Sequence, residues 1–239
     1  MNPETKTEEC RECEKTFECI HTGGYYYPPR YCEKCAAIKI RENYQEAVAK
    51  MESRITNATP ARYQATDTGH PAFNAKLWQH VKEWQPTAER PWLGLSGSPG
   101  KSKTRCAFLK LREILIGSSQ PPSRPDGYVG FLSFKAISAA KFQETVMAQF
   151  SDESKSEAVD SLDSLKTIGV LLFDDLGKQR NTPAVTSELF ALLDSRHAHN
   201  LTTIWTSNLT PEGITTGMPE DYAAPLAGRI NECSAIFTV

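Results

Sequence analysis

No stretch of this 239-residue chain is apolar over the roughly 18 residues that a bilayer-spanning helix needs. The segment from Met1 to Cys19 is also too acidic and polar for a signal peptide. These absences predict a soluble, cytoplasmic protein with no membrane partner. Excess charge is lacking too: 27 Lys and Arg stand against 29 Asp and Glu, a net −2. That balance excludes a polybasic protein that coats nucleic acid by bulk electrostatics, so any DNA contact must be local. Internal repeats are missing, which excludes solenoids and arrays. Beyond residue 35 cysteine is scarce, with Cys106 and Cys233 alone. The other five, Cys10, Cys13, Cys19, Cys32 and Cys35, crowd into the N-terminal segment. In a reducing compartment such clustering points to metal rather than to disulfides.

What is there suggests one ordinary core with a small appendage. Residues 1–35 are rich in Cys, Glu and Tyr and too poor in apolar side chains to bury a core unaided. From 36 to 55 the residues Ile40, Tyr44, Ala47, Met51 and Ile55 recur at helical spacing, which predicts an amphipathic helix, and Pro60 ends the pattern. We therefore expect a zinc-binding module over 1–35, a helix and linker over 36–70, and a main domain over 71–239. After Pro71 the residues Phe73, Leu77, Val81 and Trp84 mark a second helix, in which His80 reads as a partly buried histidine because no second ligand sits at i+4. Beyond Pro91 short apolar runs alternate with helical patterns, as in a parallel sheet covered by helices. The predicted strands are 92–95, 128–134, 168–173, 202–206 and 235–239. Solvated loops are expected at 118–126 and 151–157.

Cys10-x2-Cys13 and Cys32-x2-Cys35 are separated by 18 residues, inside the window of a four-cysteine zinc ribbon. Two residues between paired cysteines let a tight turn present both sulfurs, and four sulfurs close a tetrahedral shell, which makes the site structural. Cys19 or His21 could replace one ligand at the cost of an odd spacing. Between the pairs runs Tyr25-Tyr26-Tyr27-Pro28-Pro29-Arg30, whose rings could pack on the module's own core, stack on unpaired bases, or anchor a protein partner.

After the strand at 92–95 comes Gly97-Ser98-Pro99-Gly100-Lys101-Ser102-Lys103-Thr104, and then an apolar helix through Phe108, Leu111 and Leu115. In a P-loop backbone N–H groups curl around the phosphates of ATP, a lysine reaches the β- and γ-phosphates, and a Ser or Thr hydroxyl joins the Mg2+ shell. The segment fits that pattern with Ser102 in place of the last glycine. The preferred register makes Lys103 the phosphate lysine and Thr104 the magnesium hydroxyl. The alternative ends on Gly100-Lys101-Ser102 and puts Leu95 where the first glycine belongs. The run Val170-Leu171-Leu172-Phe173-Asp174-Asp175 is a buried strand ending in two acids, and such a pair calls for a cation. Asp174 is expected to help hold Mg2+ and Asp175 to orient the attacking water.

In order and content these motifs resemble AAA+ helicase loaders of the DnaC/DnaI type and their relative IstB, the ATPase helper of a transposase. The likeness runs from about Pro60 to Ser234 and is most specific at Gly97–Thr104, at Leu171-Leu172-Phe173-Asp174-Asp175-Leu176-Gly177 and at Thr203-Ile204-Trp205-Thr206-Ser207-Asn208-Leu209. It implies an α/β AAA+ P-loop NTPase fold in three layers with a central parallel sheet, which makes 71–239 the AAA+ domain, expected to depart from the general pattern in having no C-terminal lid. Asn208 would touch the γ-phosphate or its attacking water. Arg229, in Leu226-Ala227-Gly228-Arg229-Ile230, would be the arginine finger given to a neighbouring subunit, and Arg196 also matches a family position. Asp175 in place of the usual glutamate implies slow hydrolysis. The resemblance further implies self-association into an open ring or spiral with ATP, a hexameric replicative helicase as partner, and single-stranded DNA. The alternatives are an IstB-like transposition helper and a docking adaptor with a weakened P-loop.

Overall fold

The computed structural model describes residues 4–21, 30–63 and 73–239. It divides into two compact units, one of Met1–Ser53 with Ile116–Phe131 and one of Arg54–Leu115 with Leu132–Val239.

The first unit opens with an antiparallel hairpin, β1 (Glu4–Glu9) and β2 (Thr16–His21), in register from Glu4 opposite His21 to Glu9 opposite Thr16. Its turn closes through Cys10 N–H to the Lys15 carbonyl and Glu14 N–H to the Cys10 carbonyl, both 2.9 Å, with Glu14 in a left-handed conformation at φ 57°. Helix α1 (Glu33–Ala58) follows and contributes its length up to Ser53 to this unit. The predicted amphipathic face is real: Ile40, Tyr44 and Ala47 are half-buried, and Met51 and Ile55 are buried. Two polar side chains of α1 hold the Pro- and Ser-rich segment. Asn43 donates to the carbonyls of Pro125 (3.3 Å) and Gly127 (2.9 Å), and the Tyr44 hydroxyl lies 3.0 Å from Ser119 Oγ. The loop predicted at 118–126 is therefore a loop, fastened through side chains far from it in sequence.

The second unit is a five-stranded parallel sheet flanked by helices, in the order β4-β5-β6-β3-β7. Its elements are a short 3-10 turn at Ala61–Tyr63, α2 (Ala75–Glu83), β3 (Trp92–Ser96), α3 (Lys103–Gly117), β4 (Phe134–Ser138), α4 (Ala139–Ala148), α5 (Lys155–Thr167), β5 (Val170–Asp174), α6 (Pro183–Ala198), β6 (Thr202–Thr206), α7 (Pro211–Ile214), α8 (Glu220–Cys233) and β7 (Ser234–Thr238). The central strands β3 and β5 are buried almost throughout, which explains their continuous apolar runs. Phe142, Leu162, Leu189, Leu226 and Ile230, from α4, α5, α6 and α8, join Phe173 and Trp205 in one core. Gly94 on β3 faces Trp205 on β6 so closely that a Cβ there would lie 2.2 Å from the indole, whose Nε1 donates to Ser234 Oγ on β7 (2.9 Å).

Two predicted elements move. The strand expected over 128–134 is β4 at Phe134–Ser138, and Tyr128 is exposed. β4 is an edge strand, half-buried at every position, and the apolar run before it, which carried the stronger pattern, lies outside the strand. The loop expected over 151–157 ends early, since α5 starts at Lys155.

Candidate functional site

Strand β3 feeds the loop Gly97–Ser102, and α3 begins at Lys103, so the loop is the strand-to-helix connection a phosphate cradle requires. Gly97 (φ 120°) and Gly100 (φ 75°) occupy left-handed backbone. At Gly97 a side chain is also excluded by space, since a Cβ would lie 1.8 Å from the Val239 carbonyl oxygen. That same oxygen accepts the Ser98 N–H at 2.9 Å. Ser102 adopts φ 64°, the conformation a glycine would take without strain.

The loop curls around the Lys103 ammonium. Lys103 is buried, and its Nζ donates to the carbonyls of Gly97 and Ser98 (both 2.8 Å) and to Asn208 Oδ1 (3.0 Å). Burial holds it below its ordinary pKa, opposed by the charges of Asp175 and Asp174. Lys101 is exposed on the rim. The geometry favours the register that makes Lys103 the inward lysine. Thr104, first turn of α3, donates to Asp174 Oδ1 at 2.7 Å, and Thr206 at the end of β6 donates to the same oxygen at 2.6 Å. Burial raises the Asp174 carboxyl above its usual range, resisted by those two hydroxyls and assisted by the neighbouring Asp175. Asp175 takes a left-handed φ of 60°, its N–H donates to Thr206 Oγ1 (2.9 Å), and its Oδ2 pairs with Lys178 Nζ (2.9 Å). Three neighbouring strands, β3, β6 and β5, thus deliver Lys103, Asn208 and the two acids to one end of the sheet.

A cavity of about 500 Å³ opens there, lined by Pro99 through Arg105 and by Asp175, Lys178 and Asn208. Arg62 and Tyr63 also line it, with the Arg62 guanidinium 4.6 Å from the centre of the Tyr63 ring. Sequence reasoning passed over Arg62, Tyr63 and Lys178. The first two lie in the stretch read as linker, and the third follows the acid pair by a turn that no pattern marks.

Arg229 does not belong to this cluster. It sits on α8, where Nη2 pairs with Asp194 Oδ1 of α6 (2.6 Å) and the guanidinium lies 4.7 Å from the Phe190 ring centre. Arg196 is wholly buried. Its guanidinium donates to Thr203 Oγ1 and to the carbonyls of Leu165, Ile168 and Thr202 at 2.6–2.9 Å, tying α5, α6 and β6 together. Burial brings its pKa down to about 10. Arg196 is an internal brace.

In the first unit the sulfurs of Cys10, Cys13, Cys32 and Cys35 all lie within 4.8 Å of one another, and those of Cys13 and Cys32 are 3.8 Å apart. Tetrahedral zinc at about 2.3 Å from each sulfur sets neighbouring sulfurs about 3.8 Å apart, so the four residues fit such an ion. Cys10 and Cys13 come from the hairpin turn, while Cys32 and Cys35 come from the start of α1, a helix end where the ribbon reading expected a second turn. Cys19 stands aside from the cluster and donates to the Lys6 carbonyl (3.3 Å). Its position leaves the regular four-cysteine set. The His21 side chain and Tyr25 through Pro29 lie outside the described residues, and Arg30 is exposed.

Compared with models of protein families, the chain matches none, and no curated protein matches it. Solved structures do. A crystal structure of the DnaC helicase loader aligns at TM-score 0.55 and 21% identity over 75% of this chain and 99% of that one. A crystal structure of DnaI aligns at 0.53 and 19%, over 78% and 93%. The replication initiator DnaA bound to AMPPCP and single-stranded DNA aligns at 0.53 and 16%, over 70% of this chain and 46% of that one. The chain spans about half the length of the two AMPPCP-bound DnaA chains it matches. At these identities the likeness is one of fold: the second unit has the AAA+ fold of the DnaC and DnaI loaders and of DnaA. Among the described residues no helix is long and apolar enough to cross a membrane.

Proposed function

We propose that this protein is an ATP-binding AAA+ helicase loader of the cytoplasm, which assembles with ATP, hydrolyses it slowly and delivers a hexameric replicative helicase to single-stranded DNA. The observation that carries the ATP reading is the Lys103 ammonium at the centre of the 97–102 loop, beside the linked trio Thr104, Asp174 and Thr206. In this reading the loop N–H groups and Lys103 bind the phosphates. Thr104 and Asp174 would hold Mg2+, which when bound supplies a positive charge that screens the phosphate oxygens. Asp175 orients the attacking water and Asn208 contacts the γ-phosphate or that water. The four cysteines hold a structural Zn2+. The loader role is supported by the fold shared with DnaC and DnaI. Arg196 contributes stability alone.

Titration of the full chain with ATP and Mg2+ tests the site. Wild type should bind, Lys103→Ala should lose detectable binding, and Lys101→Ala should change affinity only modestly, because Lys101 is exposed. The opposite ranking of the two variants would move the site by two residues and the magnesium hydroxyl to Ser102. No binding by wild type would leave the docking-adaptor reading. Co-purification with a hexameric helicase, and its absence with a transposase, would separate the loader from the transposition helper.

A further inference from the structure

The turn after β5 brings a second lysine to the cavity. Asp175 and Gly177 both take left-handed backbone, φ 60° and 96°, and the Lys178 N–H folds back onto the Asp175 carbonyl at 3.1 Å. Leu176 between them is fastened on two sides: its N–H donates to the Thr206 carbonyl (2.8 Å), and its own carbonyl accepts the Ser207 hydroxyl (2.6 Å). Gly177 N–H donates to Gln179 Oε1 at 2.9 Å. A turn held this way fixes where the Lys178 side chain starts, and its ammonium ends 2.9 Å from Asp175 Oδ2 on the wall that also carries Lys103, Thr104 and Asn208.

The two lysines are not equivalent. Lys103 is buried on three oxygens, a fixed part of the loop. Lys178 is about half exposed, at 52%, and pairs with a carboxylate itself 31% exposed. Such an ion pair is screened by water and is given up at little cost. Beyond the effect of burial, the Lys178 charge also lowers the pKa of both Lys103 and Asp174, so it acts on both halves of the site. The carboxylate it occupies is the one assigned to the attacking water, and Asp175 cannot give the same oxygen fully to both.

We propose that Lys178 reads the terminal phosphate: a triphosphate draws its ammonium from Asp175 onto the γ-phosphate oxygens, and Asp175 is thereby released to orient water. A diphosphate offers no oxygen at that point and leaves the pair closed. No bond is made or broken in the exchange; one charge-assisted contact replaces another with a more highly charged acceptor. Lys178 thus couples the identity of the nucleotide to the availability of the base, acting within its own subunit. The inference rests on the ATP-binding reading above.

The test is the ratio of ADP to ATP dissociation constants in the full chain with Mg2+. Lys178→Met removes the charge from an exposed chain of similar length, so ADP affinity should change far less than ATP affinity, and an unchanged thermal melt serves as the folding control. ATP affinity should fall, reducing the preference for ATP about tenfold or more, and Lys178→Arg should keep most of it. Asp175→Asn, which takes away the competing carboxylate, should raise the preference for ATP when Lys178 is present and leave it unchanged in the Lys178→Met background. An unaltered ADP-to-ATP ratio in Lys178→Met overturns the proposal and leaves Lys178 as a surface partner of Asp175. ATP binding absent from wild type overturns the ATP reading itself, a result distinct from a changed ratio.

Discussion

Asp174 receives two hydroxyl donors on one oxygen while burial works against its charge. Its native pKa is raised above the ordinary 3.8, so the folded chain holds this proton more tightly than the unfolded one. The contribution of Asp174 to stability is therefore best at low pH and is lost as pH rises from 3.8 through the native value. Asn at this position keeps an Oδ1 that accepts from Thr104 and Thr206 and carries no charge to desolvate. Asp174→Asn should thus melt at a higher temperature than wild type in the absence of nucleotide, with the gap opening above pH 3.8 and persisting at neutral pH. The same variant should lose magnesium-dependent ATP binding. A thermal melt across pH with a parallel titration checks both, and an unchanged melting temperature at neutral pH would show that the carboxylate is not strained. At this scale the sequence disclosed residue types better than directions. The strand, loop and helix that present Lys103 and Thr104 were legible because they follow one another within a few residues, and the position of Asp174 because an apolar strand ends on it. Ser102 hid the motif from a strict pattern, yet it adopts the backbone a glycine would have. The inward course of Arg196 was not legible, since its acceptors at Leu165, Ile168, Thr202 and Thr203 come from separate elements.

Among the elements, β3, β5, β6 and β7 were readable to within two residues: β3 and β5 because buried parallel strands are nearly continuous apolar runs, β6 and β7 because short runs of Thr, Ile, Trp and Phe stand apart from the helical patterns around them. The edge strand β4 was displaced by several residues because the apolar run just before it carried the stronger pattern. The cysteine pairs were legible from spacing, but spacing says nothing of whether a turn or a helix end presents them. In the hairpin and the first turn of α1, four sulfurs are drawn within 4.8 Å of one another. The thiols are held unequally: the hydrogen bond with Cys32 and burial push Cys35 up to about 12, while Cys10, against the effect of burial, is brought down to about 6 by backbone hydrogen bonds, and a cation is what makes four thiolates compatible. Freshly purified, reduced protein should contain about one zinc per chain. Chelation should release β1, β2 and the first turn of α1 from protection against hydrogen exchange, while the five-stranded sheet keeps its protection. Zinc well below one equivalent, or a hairpin indifferent to chelator, would remove the metal from the account.

For the molecule as a whole the remaining question is how Arg229, far in sequence from the loop and absent from the cavity lining, could serve hydrolysis. It is held by Asp194 and by the face of Phe190, and Phe190 is in turn braced edge-on by Tyr222 at 5.2 Å between ring centres. The docking is incomplete: among the described residues Nη1 of Arg229 is buried and has no hydrogen-bond partner, a condition that costs about 1–3 kcal/mol. A swing toward the phosphate of an adjoining subunit would give up the partly exposed Asp194 pair and relieve that orphaned donor. The resting position is therefore compatible with a finger that works in trans. An arginine finger stabilises the charge of the transferring phosphoryl group more than it holds the bound nucleotide, with losses of about 10³–10⁵ in rate when it is removed. Arg229→Ala should accordingly bind ATP with near-normal affinity and hydrolyse it slower by a factor in that range. Hydrolysis per chain by wild type should rise with protein concentration. Mixing Arg229→Ala with Lys103→Ala should restore part of the activity, because some junctions then combine an intact loop from one chain with an intact arginine from the other. Steady-state phosphate release across a dilution series and across mixing ratios measures all three. Normal hydrolysis by Arg229→Ala, or activity per chain that does not change on dilution, would confine Arg229 to its pair with Asp194 and leave hydrolysis to the single subunit.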